Sequence, residues 1–285
     1  MDLVAVLGIG LVLGGVSTAS MGSAKTGQRA AVCWSNGAEL MKAWSAFAVD
    51  RDGTLPGSIH GGLSQNPTRL DVQNAAAGTL ASFQPWAQGW QDFGLSTHNT
   101  NAAYVTSKKY SSLAEYFGEG RNLTKCPNDR ALSESQKGAG WSQRVRTYSG
   151  NLAIGPGNGG PGDGPWNAFY QKTTRLSQIR SEHFMYIEEN PSSMNDSSLF
   201  PPAGQPGSLF PVDVPGSFHN GSTMVTFVDG HVDFRHWESA AMRNLPNTTS
   251  ALADADWPGQ SKTDPAMQRD LKFLYDRTPH QGDAP

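Results

Sequence analysis

Hydrophobic and polar positions follow two different rhythms along this chain. From Leu3 to Ala24 no residue is charged, and Leu3 to Val16 holds only Leu, Val, Ile, Ala and Gly. At about 1.5 Å of rise per residue, a helix over that stretch reaches across a hydrocarbon core of about 30 Å. Ser17, Thr18 and Ser20 soften its end, so the length fits the core of a signal peptide as well as a membrane span. Downstream, Ala30, Cys33, Trp34, Gly37, Ala38, Leu40, Met41, Trp44, Phe47 and Ala48 recur mostly at steps of three and four, the stripe of an amphipathic helix. Asp50-Arg51-Asp52-Gly53 and Pro56 then stop it. The spacing predicts one rod from Leu3 to Val49, about 70 Å long if unbroken. A rod with an apolar first half and an amphipathic second half belongs in a membrane or in a bundle of its own copies. Gly10 and Gly14 form a GxxxG step that lets such rods approach closely.

Beyond Gly53 the rhythm changes. Thr54 to about Thr124 is rich in Gly, Asn, Ser and Gln and reads as long loops with short elements, among them a helix over Tyr110–Phe117 capped by Gly118. Arg144–Ile154 alternates well enough for a strand, and Asn158–Trp166 is a Gly/Pro loop. His183–Glu188 has the continuous apolar run of an interior strand. Thr223–Val228 and His231–Trp237 flank Asp229-Gly230, the strongest short-range signal for a hairpin with a type I′ turn. In that hairpin Met224, Thr226 and Val228 face one side, Val225 and Phe227 the other. A short helix is expected over Ala266–Tyr275. The expected fold class is α+β: a long N-terminal α-helix, then a globular head with a small antiparallel β-sheet and long loops. Residues 1–49 form the assembly helix, 50–245 the head, and 246–285 a C-terminal extension.

Composition supports that division. Gly 32 and Pro 18 require extended loops, while eight Trp, seven Tyr and twelve Phe argue against wholesale disorder. A net charge of −3 removes electrostatic nucleic-acid binding as a default. No GxSxG, Walker A or strand-to-helix GxGxxG motif is present, and no enzymatic activity is expected.

Two cysteines, Cys33 and Cys126, exclude a disulfide-rich scaffold and a four-cysteine zinc site. They leave open one disulfide, worth about 4–5 kcal/mol for a loop of roughly 90 residues, or two buried thiols. Neither is expected to have a His partner. His219 precedes the hairpin in a turn, where its side chain either caps the loop or contacts a metal or ligand; His219, His231 and His236 are too dispersed in sequence to mark a zinc site. Glu188 and Glu189 are adjacent on a strand and point to opposite faces. Glu188, Glu189, Asn195 and Asp196 flank a loop and offer oxygen ligands that suit Ca²⁺, with Glu189, Asn195 and Asp196 as the candidate set.

The stretch from Asp2 to Gly57 resembles the N-terminal region of type IV pilin-like proteins and pseudopilins. Asp2 takes the place of the family's early Glu, Lys25 and Arg29 form its basic region, and Asp50, Asp52, Gly53 and Pro56 its turn. Lys125–Arg130 (KCPNDR) is similar to the "CPAD" segment of the subgroup called prepilin-type with an H-X9-DG C-terminal domain, as is Tyr186–Asp196 (YIEENPSSMND). His219 followed by nine residues and then Asp229-Gly230 matches that subgroup's naming motif. The resemblance covers roughly residues 2–237. It implies a subunit of a type II secretion or type IV pilus-type filament, assembling with copies of itself or related subunits through the helix. It also implies a single pass through the inner membrane with a periplasmic or extracellular head. The family's basic leader and Gly-Phe cleavage site are not found, so Met1 falls inside what would be the mature helix, and a prepilin peptidase becomes a partner where an upstream leader exists. Related pseudopilins that bind calcium give the Ca²⁺ reading some support. Two other classes stay in view: a secreted or surface-anchored glycan-binding module using exposed Trp, and a metal-dependent hydrolase using His219, Asp229 and the acidic loop.

Overall fold

A computed structural model of the protein describes residues 3–71, 80–158, 168–245 and 264–283, with side chains from residue 27 onward. The first element, α1, is one helix over Leu3–Asp50, as the spacing predicts. Its docking face starts at Cys33: Cys33, Gly37, Leu40, Met41, Trp44, Phe47 and Ala48 are buried, whereas residues 27–32 are exposed or half-buried. Gly37 sets the closeness of the approach, since a Cβ there would lie 3.0 Å from Met224 Sδ and 3.1 Å from Thr226 Cγ2. Trp34 stays half-exposed but donates its indole N–H to the Val232 carbonyl at 3.1 Å. The helix ends because Asp52 and Gly53 adopt φ of 52° and 78°. Gly53 N–H then reaches back to the Ala48 carbonyl at 2.7 Å, the six-to-one bond of a Schellman stop.

A short helix, α2 (Ala114–Phe117), packs against α1 and is ended by Gly118 at φ 90°. The strands are β1 (Tyr148–Asn151), β2 (Phe184–Glu188), β3 (Ser198–Leu199), β4 (Ser222–Phe227) and β5 (Val232–His236). They form one sheet in the order β3-β1-β2-β4-β5. All neighbours are antiparallel except β1 and β3, which run parallel, so the sheet is mixed rather than purely antiparallel. After β2 the chain does not return directly: it passes through residues 189–197 and reappears beyond β1, on that strand's outer edge.

Both faces of the sheet are covered. On one, α1 packs Leu40, Met41 and Trp44 against Tyr148, Met185, Tyr186 and Met224. On the other, Phe184, Ile187, Val225, Phe227 and Trp237 meet Met267, Leu271 and Leu274 of a final helix, α3 (Pro265–Asp276). β4 alternates as its sequence requires, with Met224 toward α1 and Val225 and Phe227 toward α3. In β2, Met185 and Tyr186 join the same cluster because the ladder shifts register between Phe184 and Ile187. The α3 helix begins with Asp264 capping Ala266 N–H and Pro265 in the first turn. It therefore contributes to the second core of the head.

The hairpin forms where expected, but its turn differs. Gly230 N–H donates to the Phe227 carbonyl at 2.9 Å, and Phe227 N–H to that of His231 at 3.0 Å. Of the loop residues Val228, Asp229 and Gly230, only Gly230 has positive φ, at 90°. A type I′ turn needs positive φ at both central positions; here three loop residues let Gly230 alone take the left-handed conformation. Among the described residues no helix is long and apolar enough to cross a membrane. The side chains of the apolar run Leu3–Ala24 lie outside the described residues.

Candidate functional site

Four side chains from four separate parts of the chain meet beneath α1. Cys33 projects from the first buried turn of that helix. Cys126 comes from the Lys125–Arg130 loop, where Cys126 N–H donates to Thr147 Oγ1 at 3.2 Å and fixes the loop to the start of β1. Glu188 is the last residue of β2. His219 lies in the tight turn before β4, where its backbone exchanges both hydrogen bonds with Ser222 at 3.1 Å. Asn220 and Gly221 take φ of 54° and 80° to make that turn.

The ligand atoms of these four residues all lie within 4.8 Å of one another. Cys33 Sγ is 3.0 Å from Cys126 Sγ, Cys126 Sγ is 3.5 Å from His219 Nε2, and His219 Nε2 is 2.9 Å from Glu188 Oε1. Cys33, Cys126 and Glu188 have no exposed surface, and His219 is 8% exposed. Around them, Glu188 Oε2 accepts Met224 N–H at 2.8 Å. Asn128 presents its amide to His219 Nδ1 at 3.3 Å. Phe234 stands edge-on to the imidazole at 4.7 Å, and Tyr148 OH reaches the Cys33 carbonyl at 3.5 Å.

Burial pushes the Cys126 thiol well above the ordinary range, and the facing Cys33 adds to this. Burial works against a charge on His219, but its contacts with Cys126 and Glu188 outweigh that and push the imidazole up to about 10. Apart from a metal, burial thus keeps Cys126 a protonated thiol beside a His–Glu pair. Two sulfurs, an imidazole and a carboxylate form a donor set that can hold a thiophilic ion. It is the one convergent group of three or more His, Cys, Asp or Glu among the described residues.

Several sequence expectations change here. Cys126 does have a His partner. It was missed because positions 126 and 219 are joined only through the sheet. The two cysteines do meet, as a disulfide would require, but they are free thiols. The His219 side chain does not cap its turn; the backbone closes the turn and the ring points inward. Asp229 and Gly230 stand apart from His219, at the hairpin tip, where Asp229 binds His231 N–H at 3.0 Å. His236 binds Ser222 Oγ instead. Glu188 turns to His219 and Met224 N–H whereas Glu189 turns to Ser193, so Glu188 joins the sulfur-lined cluster rather than the oxygen-lined loop expected for Ca²⁺.

Most oxygens of the expected calcium ligands are engaged within the protein, but buried Glu189 Oε2 has no hydrogen-bond partner among the described residues. Asp196 accepts Gly61 N–H at 2.9 Å and Ser198 N–H at 3.0 Å. Asn195 Oδ1 accepts Asp196 N–H at 2.6 Å, and Glu189 Oε1 accepts Ser193 Oγ–H at 2.9 Å. This loop is also clamped by buried Arg146, which donates to the Asp196 carbonyl and, at 2.9 Å, to that of Tyr148. Arg29 is half-buried on α1. Asp2, and the side-chain roles assigned to Gly10, Gly14 and Lys25, lie outside the described residues.

Compared with protein-family models, curated proteins and solved structures, the chain gives no significant match.

Proposed function

We propose that the protein is a structural, pilin-like or pseudopilin-like subunit that joins a filament through the first half of α1. The observation that carries this reading is the division of labour along one helix. Burial against the head begins at Cys33 and continues to Ala48, while residues 27–32 are exposed or half-buried and the sequence before them is the uncharged run Leu3–Ala24. On this reading the second half fastens the helix to its own head, and the apolar first half packs on a bilayer or on neighbouring copies. Removing apolar surface from water contributes about 25 cal/mol per Å², so the same run can hold a subunit in the inner membrane and later hold it in a bundle. The ordered sequence motifs that resemble the H-X9-DG prepilin-type subgroup support this reading, with the head on the periplasmic or extracellular side. Trp44, Trp86 and Trp237 are core residues, which takes them away from any sugar-stacking surface.

Shearing envelope filaments from cells that make the full chain, then probing with an antibody to the head, tests the proposal. The chain is expected in the sheared filaments together with related subunits, and in the membrane fraction before assembly. Recovery solely as a free, soluble protein would argue against it.

A further inference from the structure

We infer that Cys33, Cys126, Glu188 and His219 form a closed zinc site that locks α1 to the sheet and its loops. This rests on the four-residue cluster and not on the filament reading, so either can fail alone.

The donor set selects the ion. Thiolates disfavour Ca²⁺ and Mg²⁺, which take oxygen ligands. Zinc takes sulfur at about 2.3 Å and nitrogen or oxygen at about 2.0–2.2 Å, in a tetrahedron whose neighbouring ligand atoms then stand about 3.3–3.8 Å apart. Cys126 Sγ and His219 Nε2 already stand 3.5 Å apart. The sulfur pair at 3.0 Å and the Nε2–Oε1 pair at 2.9 Å need to open by roughly 0.4–0.8 Å to reach those separations. The remaining ligand-atom pairs, all within 4.8 Å, have to settle to the same separations. All four donors come from the protein and all are buried, which marks a structural site rather than one with a position left for substrate.

The surroundings match what a metal needs from a second layer of contacts. Met224 N–H holds the outer oxygen of Glu188, and Asn128 stands at His219 Nδ1. A ligating imidazole donates its second N–H to an acceptor; the Asn128 amide nitrogen, which faces Nδ1 and donates to the Phe218 carbonyl at 3.2 Å, therefore has to exchange places with its oxygen on metal binding. Coordination needs both sulfurs as thiolates and His219 Nε2 without a proton, and any proton these atoms carry beforehand leaves to solvent. The ring keeps its Nδ1 proton, and the Asn128 amide turns its oxygen toward it. Two thiolates and one carboxylate then face the divalent charge. The bonds tie α1, the Lys125–Arg130 loop, the end of β2 and the turn before β4 to one point, so the helix cannot slide on the sheet.

The test uses the full chain, purified under reducing conditions and incubated with equimolar Zn²⁺, followed by removal of loose metal. One zinc per chain is expected by elemental analysis, with two thiols that become reactive only when the protein is denatured and the zinc released. Replacing zinc with Co²⁺ should give the intense visible bands of a tetrahedral ion and a thiolate-to-cobalt charge-transfer band. That reading needs no variant to fold. Asn128→Ala should weaken zinc binding about 10–100-fold, with far-ultraviolet dichroism confirming the fold. Three results would overturn the proposal: a folded, reduced chain that binds no zinc; zinc retained at full stoichiometry by the folded Cys33→Ser/Cys126→Ser variant; or isolated protein carrying a Cys33–Cys126 disulfide and no metal.

Discussion

His183 is held as a neutral imidazole by its neighbours. Its Nδ1 accepts Arg180 N–H at 3.0 Å, so a proton at that atom would displace a backbone hydrogen bond. Burial lowers its pKa to about 4, against a smaller opposing pull from Asp283. The unfolded chain, titrating at about 6.5, takes up that proton first. The contribution of His183 is therefore present above about 6.5 and is lost as pH falls toward about 4. His183→Asn, which keeps an acceptor for Arg180, should flatten this. Urea titrations at pH 7 and pH 4.5 should show wild type losing about 1–2 kcal/mol more than the variant, after discounting for water near Asp283. Equal losses would exclude the assignment. Gly37 makes a second residue-level case. Its Cβ position already touches Met224, Thr226 and Val232, so Gly37→Leu should destabilise by about 1–3 kcal/mol despite leucine's better helix propensity. A variant as stable as wild type in the same titration would show that α1 does not sit this close.

At the scale of elements, the Lys125–Arg130 loop is held by a buried ion pair. Lys125 Nζ lies 2.6 Å from Asp129 Oδ2, which also accepts Thr147 Oγ1–H at 2.7 Å. Burial favours the neutral carboxyl, but Lys125 and Arg144 outweigh it and hold Asp129 below the usual range. Asp129→Ala leaves Lys125 buried without its partner and should cost about 3–5 kcal/mol, whereas Lys125→Met with Asp129→Leu should recover much of that. A double variant no better than Asp129→Ala in thermal unfolding would contradict this. Such pairs also mark what sequence reveals. The α1 stripe, the interior strand His183–Glu188, the β4–β5 hairpin and the helix near Ala266 were legible because each is written in consecutive residues with a period of 3.6 or 2. The parallel β3 edge was not, since two residues, Ser198 and Leu199, carry no periodicity. The Cys33–Cys126–Glu188–His219 cluster was hidden for another reason: only the packing of α1 on the sheet brings those positions together.

For the whole molecule, the sheet lies between two helical layers, and α1 runs N-terminally from its docked part as one helix from Leu3. The uncharged run Leu3–Ala24 is legible in sequence, whereas docking at Cys33, after the exposed or half-buried residues 27–32, emerges only from burial. Docking and extension have separable consequences. Shortening the N-terminal part should leave the head's two cores intact, because among the described residues none of their buried members precedes Cys33. Sedimentation velocity after detergent removal, comparing the full chain with a variant lacking residues 1–26, tests this separation most directly. The full chain should form large, ordered assemblies, and the shortened one a folded monomer of unchanged near-ultraviolet dichroism. A shortened chain that assembles as well as the full one would contradict the assignment of the helix as the assembly element.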